Sequence, residues 1–174
     1  VDPEFGTLYV YREYYVSKQT GDTLGHSINS IEQNTKERIS YGVLDSSTWH
    51  TRGQTGPSIA EEIIRTGCRF RPSDRSAGSR IAGKNRLHQL LLFDDLIKKP
   101  GLIIFDDCRQ LITDLQMIPS DPKGTDDIDD RYPSDHTYDA LRYGIMSRPA
   151  AYNPFDQNNV STDTYRPVNM AFGY

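Results

Sequence analysis

The stretch Leu8–Val16, L-Y-V-Y-R-E-Y-Y-V, constrains this chain more than any other. It is aromatic and β-branched, with a period of two. Leu8, Val10, Arg12 and Tyr14 fall on one side and Tyr9, Tyr11, Glu13 and Tyr15 on the other. That pattern suits a half-buried strand. A strand must pair, and the preceding D-P-E-F-G predicts a turn to an earlier strand. Residues 1–7 are then a native turn or a cloning remnant. The expectation is an N-terminally truncated excerpt of a longer protein, its first strand incomplete or missing.

Helix and strand signals alternate from there. Thr23–Glu37 carries Leu24, Ile28 and Ile31 at helical spacing, with a cap near Asp22 or Thr23. Ile39–Asp45 reads as a second strand, ending in Asp45 before the polar S-S-T-W-H. Ser58–Thr66 is predicted helical, burying Ile59, Ile63 and Ile64 and closed by Gly67. Cys68–Arg71 suits a short strand stopped by Pro72. Arg80–Asp94 reads as helix, Gly101–Phe105 as a buried strand, and Cys108–Met117 as a helix capped by Asp106 or Asp107. A closing helix buries Tyr138, Leu141 and Ile145. Beyond it the chain turns polar and shows no periodicity, a tail that is flexible or docked as an extended peptide. The order predicts an α/β fold with a mixed central β-sheet flanked by helices. One domain would occupy residues 1–148 and the tail 149–174.

Charge narrows the function classes only slightly. The 174 residues carry 24 acids and 20 bases, a net charge of −4, so any nucleic-acid contact depends on where cations cluster. They cluster once, at Arg69, Arg71, Arg75, Arg80, Lys84 and Arg86, with Ser73, Ser76 and Ser79 between them. This is phosphate-contacting composition, or else a solvated helix face. Within it Gly78–Asn85 nearly spells a P-loop, but Asn85 stands where the Mg²⁺-binding hydroxyl belongs, and no long buried strand precedes it. A nucleotide site is rejected there. The acidic stretch Ser120–Asp130 lacks the EF-hand register and reads as a solvated loop. Cys68 and Cys108 lie far apart and outside metal-ligand spacing, as reduced intracellular residues do; a single disulfide is the alternative. No apolar run approaches the ~18 residues of a membrane span, and no signal peptide is evident.

Chemistry-bearing residues gather in Ser134–Pro149, S-D-H-T-Y-D-A-L-R-Y-G-I-M-S-R-P. Asp135 and Asp139, four apart, share one helix face, with His136 at its edge. Like charges so placed cost roughly 0.2–0.5 kcal/mol. A divalent cation would offset that, and carboxylates with an imidazole suit Mg²⁺ or Mn²⁺. The competing reading is an acidic helix start, with Asp135 as N-cap and both carboxylates favoured by the helix dipole. Asp45, at a strand end, is placed either for catalysis or for an Asx-turn with Ser47. His136 is a ligand, a proton carrier or simply a helix-start histidine.

Five segments carry a family resemblance: L-Y-V-Y-R-E-Y-Y, Y-G-V-L-D-S-S-T-W, G-P-S-I-A-E-E, S-R-I-A-G-K-N-R-L and S-D-H-T-Y-D-A-L-R-Y-G. In this order, from Leu8 to Pro149, they resemble the C-terminal nuclease domain of tailed-phage large terminase subunits. The resemblance implies an RNase H-like fold and a metal-dependent endonuclease that cuts concatemeric viral DNA during genome packaging. In that family three acids hold two ions, Mg²⁺ or Mn²⁺. Asp45 matches the second acid and Asp139 the third, with His136 as an added ligand and Asp135 as a neighbour that binds or orients. The first acid has no match and is expected upstream of Val1. Two ions ~3.5–4 Å apart would activate water and stabilise the departing 3′-oxygen. Arg69, Arg71, Arg75, Arg80, Lys84 and Arg86 would hold the backbone of double-stranded DNA without reading its sequence. The implied partners are the ATPase domain of the same full-length chain, the portal and the small terminase subunit, in the host cytoplasm. The alternative is a non-catalytic docking module of the packaging motor that binds the ATPase domain, portal or capsid.

Overall fold

The computed structural model describes residues 6–148 except 52, 54, 55, 96, 97, 123–127, 130, 133 and 134. The predicted turn at Asp2–Phe5, the tail 149–174 and much of the acidic stretch lie outside the described residues. Short strands and helices alternate along the rest. They are β1 (Leu8–Val10), α1 (Gly21–Thr35), β2 (Gly42–Leu44), α2 (Ile59–Arg65), β3 (Phe70–Pro72), α3 (Ser79–Leu91), β4 (Phe93–Asp94), β5 (Lys99–Pro100), β6 (Leu102–Ile104), α4 (Arg109–Met117) and α5 (His136–Met146). A 3₁₀ turn at Ser46–Trp49 follows β2.

This is a mixed α/β fold, but the strands pair in twos rather than in one wide sheet. β1 pairs with β6 in parallel, β2 with β3 in parallel, and β4 with β5 antiparallel. The period-two run beginning at Leu8 forms a strand only as far as Val10. Its partner explains why. After Phe105 donates to the Val10 carbonyl, the chain turns away, Cys108 N–H bonding back to the Phe105 carbonyl. Tyr11–Val16 therefore has no adjacent ladder among the described residues, whatever its β propensity. The second strand is likewise shorter than Ile39–Asp45: its ladder with β3 runs only from Gly42 N–H, which donates to the Arg69 carbonyl, to the Leu44 carbonyl, which accepts from Ser73 N–H.

The helices follow their local signals more closely. Thr20 caps α1, its hydroxyl accepting from Thr23 N–H. Ser58 and Glu61 form a capping box on α2. Gly67, at φ +101°, takes the left-handed turn beyond α2, as its C′ position requires. The start of α4 departs from expectation, for neither Asp106 nor Asp107 caps it. Cys108 occupies the N-cap without a side-chain bond. The Glu13 carboxylate reaches across the fold instead, accepting from Gln110 N–H at 3.1 Å and Leu111 N–H at 2.7 Å.

The core lies where α3, α5 and β6 meet: Leu87, Leu102, Ile128, Tyr138 and Ile145 form one buried cluster, with Leu141 partly buried at its margin. α4 is tied to α5 by buried Asp114, which accepts from the Thr137 hydroxyl. Both cysteines are free and buried, so the disulfide alternative falls. No helix among the described residues is long and apolar enough to cross a membrane.

Candidate functional site

Asp45 stands at the end of β2, as its sequence position predicted. Its backbone starts the 3₁₀ turn, and Oδ1 accepts from Ser47 N–H at 2.7 Å. The Asx-turn is therefore present. The other oxygen, Oδ2, accepts from the Tyr143 hydroxyl of α5. That hydroxyl also lies 3.4 Å from Asp139 Oδ2. A phenol has one proton to donate, and the shorter contact gives it to Asp45. The fold thus brings Asp45 and Asp139 to the same tyrosine.

Asp139 has a closer partner. Its Oδ1 accepts from Arg142 Nη2 at 2.8 Å and Nε at 3.1 Å. Arg142 is only 4% exposed, so Asp139 is the counter-ion of a buried cation. The guanidinium also lies 4.6 Å from the Tyr143 ring centroid. On the opposite helix Gly83 makes room for this side chain; a Cβ there would stand 2.6 Å from Arg142 Cγ.

These contacts set the protonation states. Burial pushes the Asp45 carboxyl upward, but hydrogen bonds from Ser47 and Tyr143, with the charge of Arg75, outweigh it. The net pKa lies below the usual carboxylate range. Burial, the bond to Asp45 and the charges of both aspartates push Tyr143 well above an ordinary phenol. The cluster is a neutral tyrosine between two carboxylates.

Asp135 and His136 do not join it. Asp135 is the N-cap residue of α5, but its side chain makes no capping bond. Its Oδ1 lies 3.4 Å from His136 Nδ1, and the His136 side chain is 74% exposed. Among the described residues no three His, Cys, Asp or Glu side chains are grouped so that they could hold a metal ion. This corrects the expected two-metal endonuclease: Asp45, Asp139, His136 and Asp135 form no Mg²⁺ or Mn²⁺ centre. The assignments of hydrolase, nuclease and metal-binding protein fall with it. Physically, Asp45 is spent on a turn and a tyrosine, Asp139 on a buried arginine, and the remaining pair on each other.

The basic run is not one continuous face. Arg71 lies 3.8 Å from the Tyr41 ring centroid and donates to the Ser147 carbonyl at the end of α5. Arg80, Lys84 and Arg86 sit partly buried on α3, whereas Arg69 and Arg75 are exposed.

Sequence reasoning missed the partners Arg142 and Tyr143, although D-A-L-R-Y contained them. They stand three and four residues after Asp139, the spacings at which helix side chains meet. It also missed a groove of about 410 Å³ running between Leu8–Tyr15 and α5. His136, Ala140 and Gly144 line its helical wall at steps of four, with Arg148 beyond the helix end. Leu102 and Leu111 lie deeper in it. The opposite wall is held by two charged side chains. Arg12 donates to both Glu37 oxygens, at 2.6 and 3.2 Å, and Glu13 caps α4. Tyr9, Tyr14 and Tyr15 remain exposed along this wall.

Comparison with protein-family models, curated proteins and solved structures finds no match for this chain.

Proposed function

We propose that this chain is a non-catalytic docking module whose contact surface is the groove between Leu8–Tyr15 and α5. The observation that carries the reading is that groove, an opening of about 410 Å³ beside a strand with one paired edge and a row of exposed tyrosines. Tyrosine provides large, rigid, amphipathic contact area at low entropic cost, which suits protein association. The acids expected to do chemistry are engaged in holding α5 to β2 and to its own arginine, which supports the same reading. An RNase H-like arrangement of the whole protein belongs to this proposal. So do the partners suggested by the terminase resemblance: the motor ATPase domain, the portal, the small subunit or the capsid. Phosphate-backbone contact with DNA would fall to exposed Arg69 and Arg75.

The test is capture of purified motor ATPase domain and portal by the full chain. Ala140→Arg, which fills the groove from an exposed helix position, is expected to weaken capture at least tenfold with folding unchanged. Equal capture by wild type and Ala140→Arg would sink the docking surface. Mn²⁺-dependent plasmid cleavage that disappears in Asp45→Ala would sink the non-catalytic reading.

A further inference from the structure

The Arg12–Glu37 ion pair links the groove to a second pocket, of about 340 Å³, for Arg12 lines the one and Glu37 the other. That volume falls within the range of small-molecule sites. Three stretches build it: the second half of α1, the connection into β2, and the turn that leads from α2 into β3. Gly67 makes that turn at φ +101°. Cys68 follows it, buried, its thiol held 3.4 Å from the Gly25 carbonyl and 3.4 Å from the Asn29 side-chain oxygen. Phe70 lies against the bare backbone of Gly42, where a Cβ would stand 2.1 Å from its ring. With half-buried Ile28 and exposed Ile39, these residues give the pocket an apolar lining.

The charges that line it do not cancel. Glu37 is satisfied, since Arg12 donates to both its oxygens. That leaves Glu32, Arg38 and Arg69 among the described residues. Both arginines are exposed, and among the described residues neither has an ion pair or a side-chain hydrogen bond. Two cations against one carboxylate leave a net positive charge, which a single negative charge would balance. A guanidinium meets a carboxylate through two parallel N–H···O bonds, a geometry that an ammonium cannot match. An apolar body behind that carboxylate would leave water for contact with Ile28, Ile39 and Phe70. A neutral apolar molecule would leave both guanidinium groups unused, and a bare anion would leave the apolar lining wet.

We propose that this pocket binds a small monocarboxylate with an apolar body, its carboxylate on Arg38 and Arg69 and its body against Ile39 and Phe70. The site is separate from the groove and stands whether or not the groove docks a partner. The probe is 3-phenylpropionate, titrated into the full chain and followed by NMR through the backbone amide shifts of Ile28, Gly42 and Phe70. The expected result is saturation with a Kd on the order of 1 mM, since both arginines are exposed and water screens them. Acetate, which lacks the body, and 3-phenylpropionamide, which lacks the charge, should each bind at least ~10-fold more weakly. The double variant Arg38→Gln, Arg69→Gln should lose the same factor for 3-phenylpropionate with Tm unchanged, because no other side chain holds either arginine. Ile39→Asp keeps both arginines but brings a negative charge to the exposed apolar wall, and should weaken binding as much. The inference is overturned by the absence of saturation at ~10 mM acid. Equal binding of the acid and either analogue overturns it, as does equal binding by wild type and either variant. Shifts confined to Ala140 and Gly144 overturn it too, since the acid would then occupy the groove.

Discussion

Asp139→Asn separates a structural carboxylate from a catalytic one. The substitution keeps the size of the side chain and one acceptor oxygen but removes the charge facing Arg142. That arginine side chain is 5% exposed and makes two bonds to one Asp139 oxygen, at 2.8 and 3.1 Å. Breaking a fully buried ion pair costs about 3–5 kcal/mol, because the remaining charge is left uncompensated. The Asp139 side chain is 26% exposed, so water screens part of the interaction, and about 2–3 kcal/mol is the appropriate expectation. For a domain of this size that corresponds to a fall in Tm of roughly 5–10 °C. The assay is thermal unfolding by circular dichroism, paired with urea titration to confirm an unchanged m-value. Asp139→Asn with Arg142→Met should regain most of the loss, since an apolar replacement of both partners leaves no orphaned charge. A single variant as stable as wild type would refute the reasoning. So would a double variant no better than the single.

Two further perturbations probe the site and its surroundings. Glu13→Ala removes both acceptors that hold the first turn of α4 and should cost about 1–2 kcal/mol, read by urea unfolding. Glu13→Gln, keeping one acceptor without the charge, should fall between, and no difference among the three proteins would show that the cap contributes nothing. The pH profile of Tm should have two limbs. Asp45 has its folded pKa below the unfolded value of about 3.9, so its contribution is present above that pH and is lost as pH falls through the folded value. Tyr143 has its folded pKa raised above the unfolded value of about 10, so its contribution is present below that pH and is lost as pH rises toward the folded value. Asp45→Asn should flatten the acid limb and Tyr143→Phe the alkaline one; unchanged profiles in both would overturn the hydrogen-bond assignment.

What the sequence made legible was local. Helix starts carry their own chemistry within four residues: the opening of α2 at Ser58 was legible, whereas the cap of α1, expected at Asp22 or Thr23, falls at Thr20. Asp45 at a strand end with Ser47 behind it announced a turn. Two of the misreadings involve partners distant in sequence. The extent of β1 depended on where β6 turned away, ninety-odd positions later, and nothing in L-Y-V-Y-R-E-Y-Y-V encodes that. The cap of α4 came from Glu13 rather than from the two aspartates beside it, because a carboxylate on a neighbouring extended segment reached the free N–H groups. The metal reading failed for a more instructive reason. Acids at i and i+4 on one face were weighed against each other, while the i+3 arginine and i+4 tyrosine that satisfy Asp139 were left out. In an acidic helix the nearest cation at helical spacing is the first competitor for any metal, and here it is buried and wins.

α5 shows why one helix can look like an active-site wall without being one. At successive helical positions it meets three different surroundings. Tyr138, Arg142 and Ile145 are buried, Ile145 and Tyr138 in the core cluster. Asp139 and Tyr143 turn to Asp45 at the end of β2. His136, Ala140 and Gly144 line the groove. A buried arginine needs a counter-ion, and Asp139, three residues before it on the same helix, supplies one. A tyrosine one residue further is then carried to the end of β2, where its hydroxyl must find an acceptor, and Asp45 is that acceptor. The convergence of Asp45 and Asp139 thus follows from satisfying Arg142 and Tyr143, with no metal required to explain it. The groove face answers to no such internal demand. Its small, exposed residues Ala140 and Gly144 leave the helix open along one side, opposite Tyr9, Tyr14 and Tyr15.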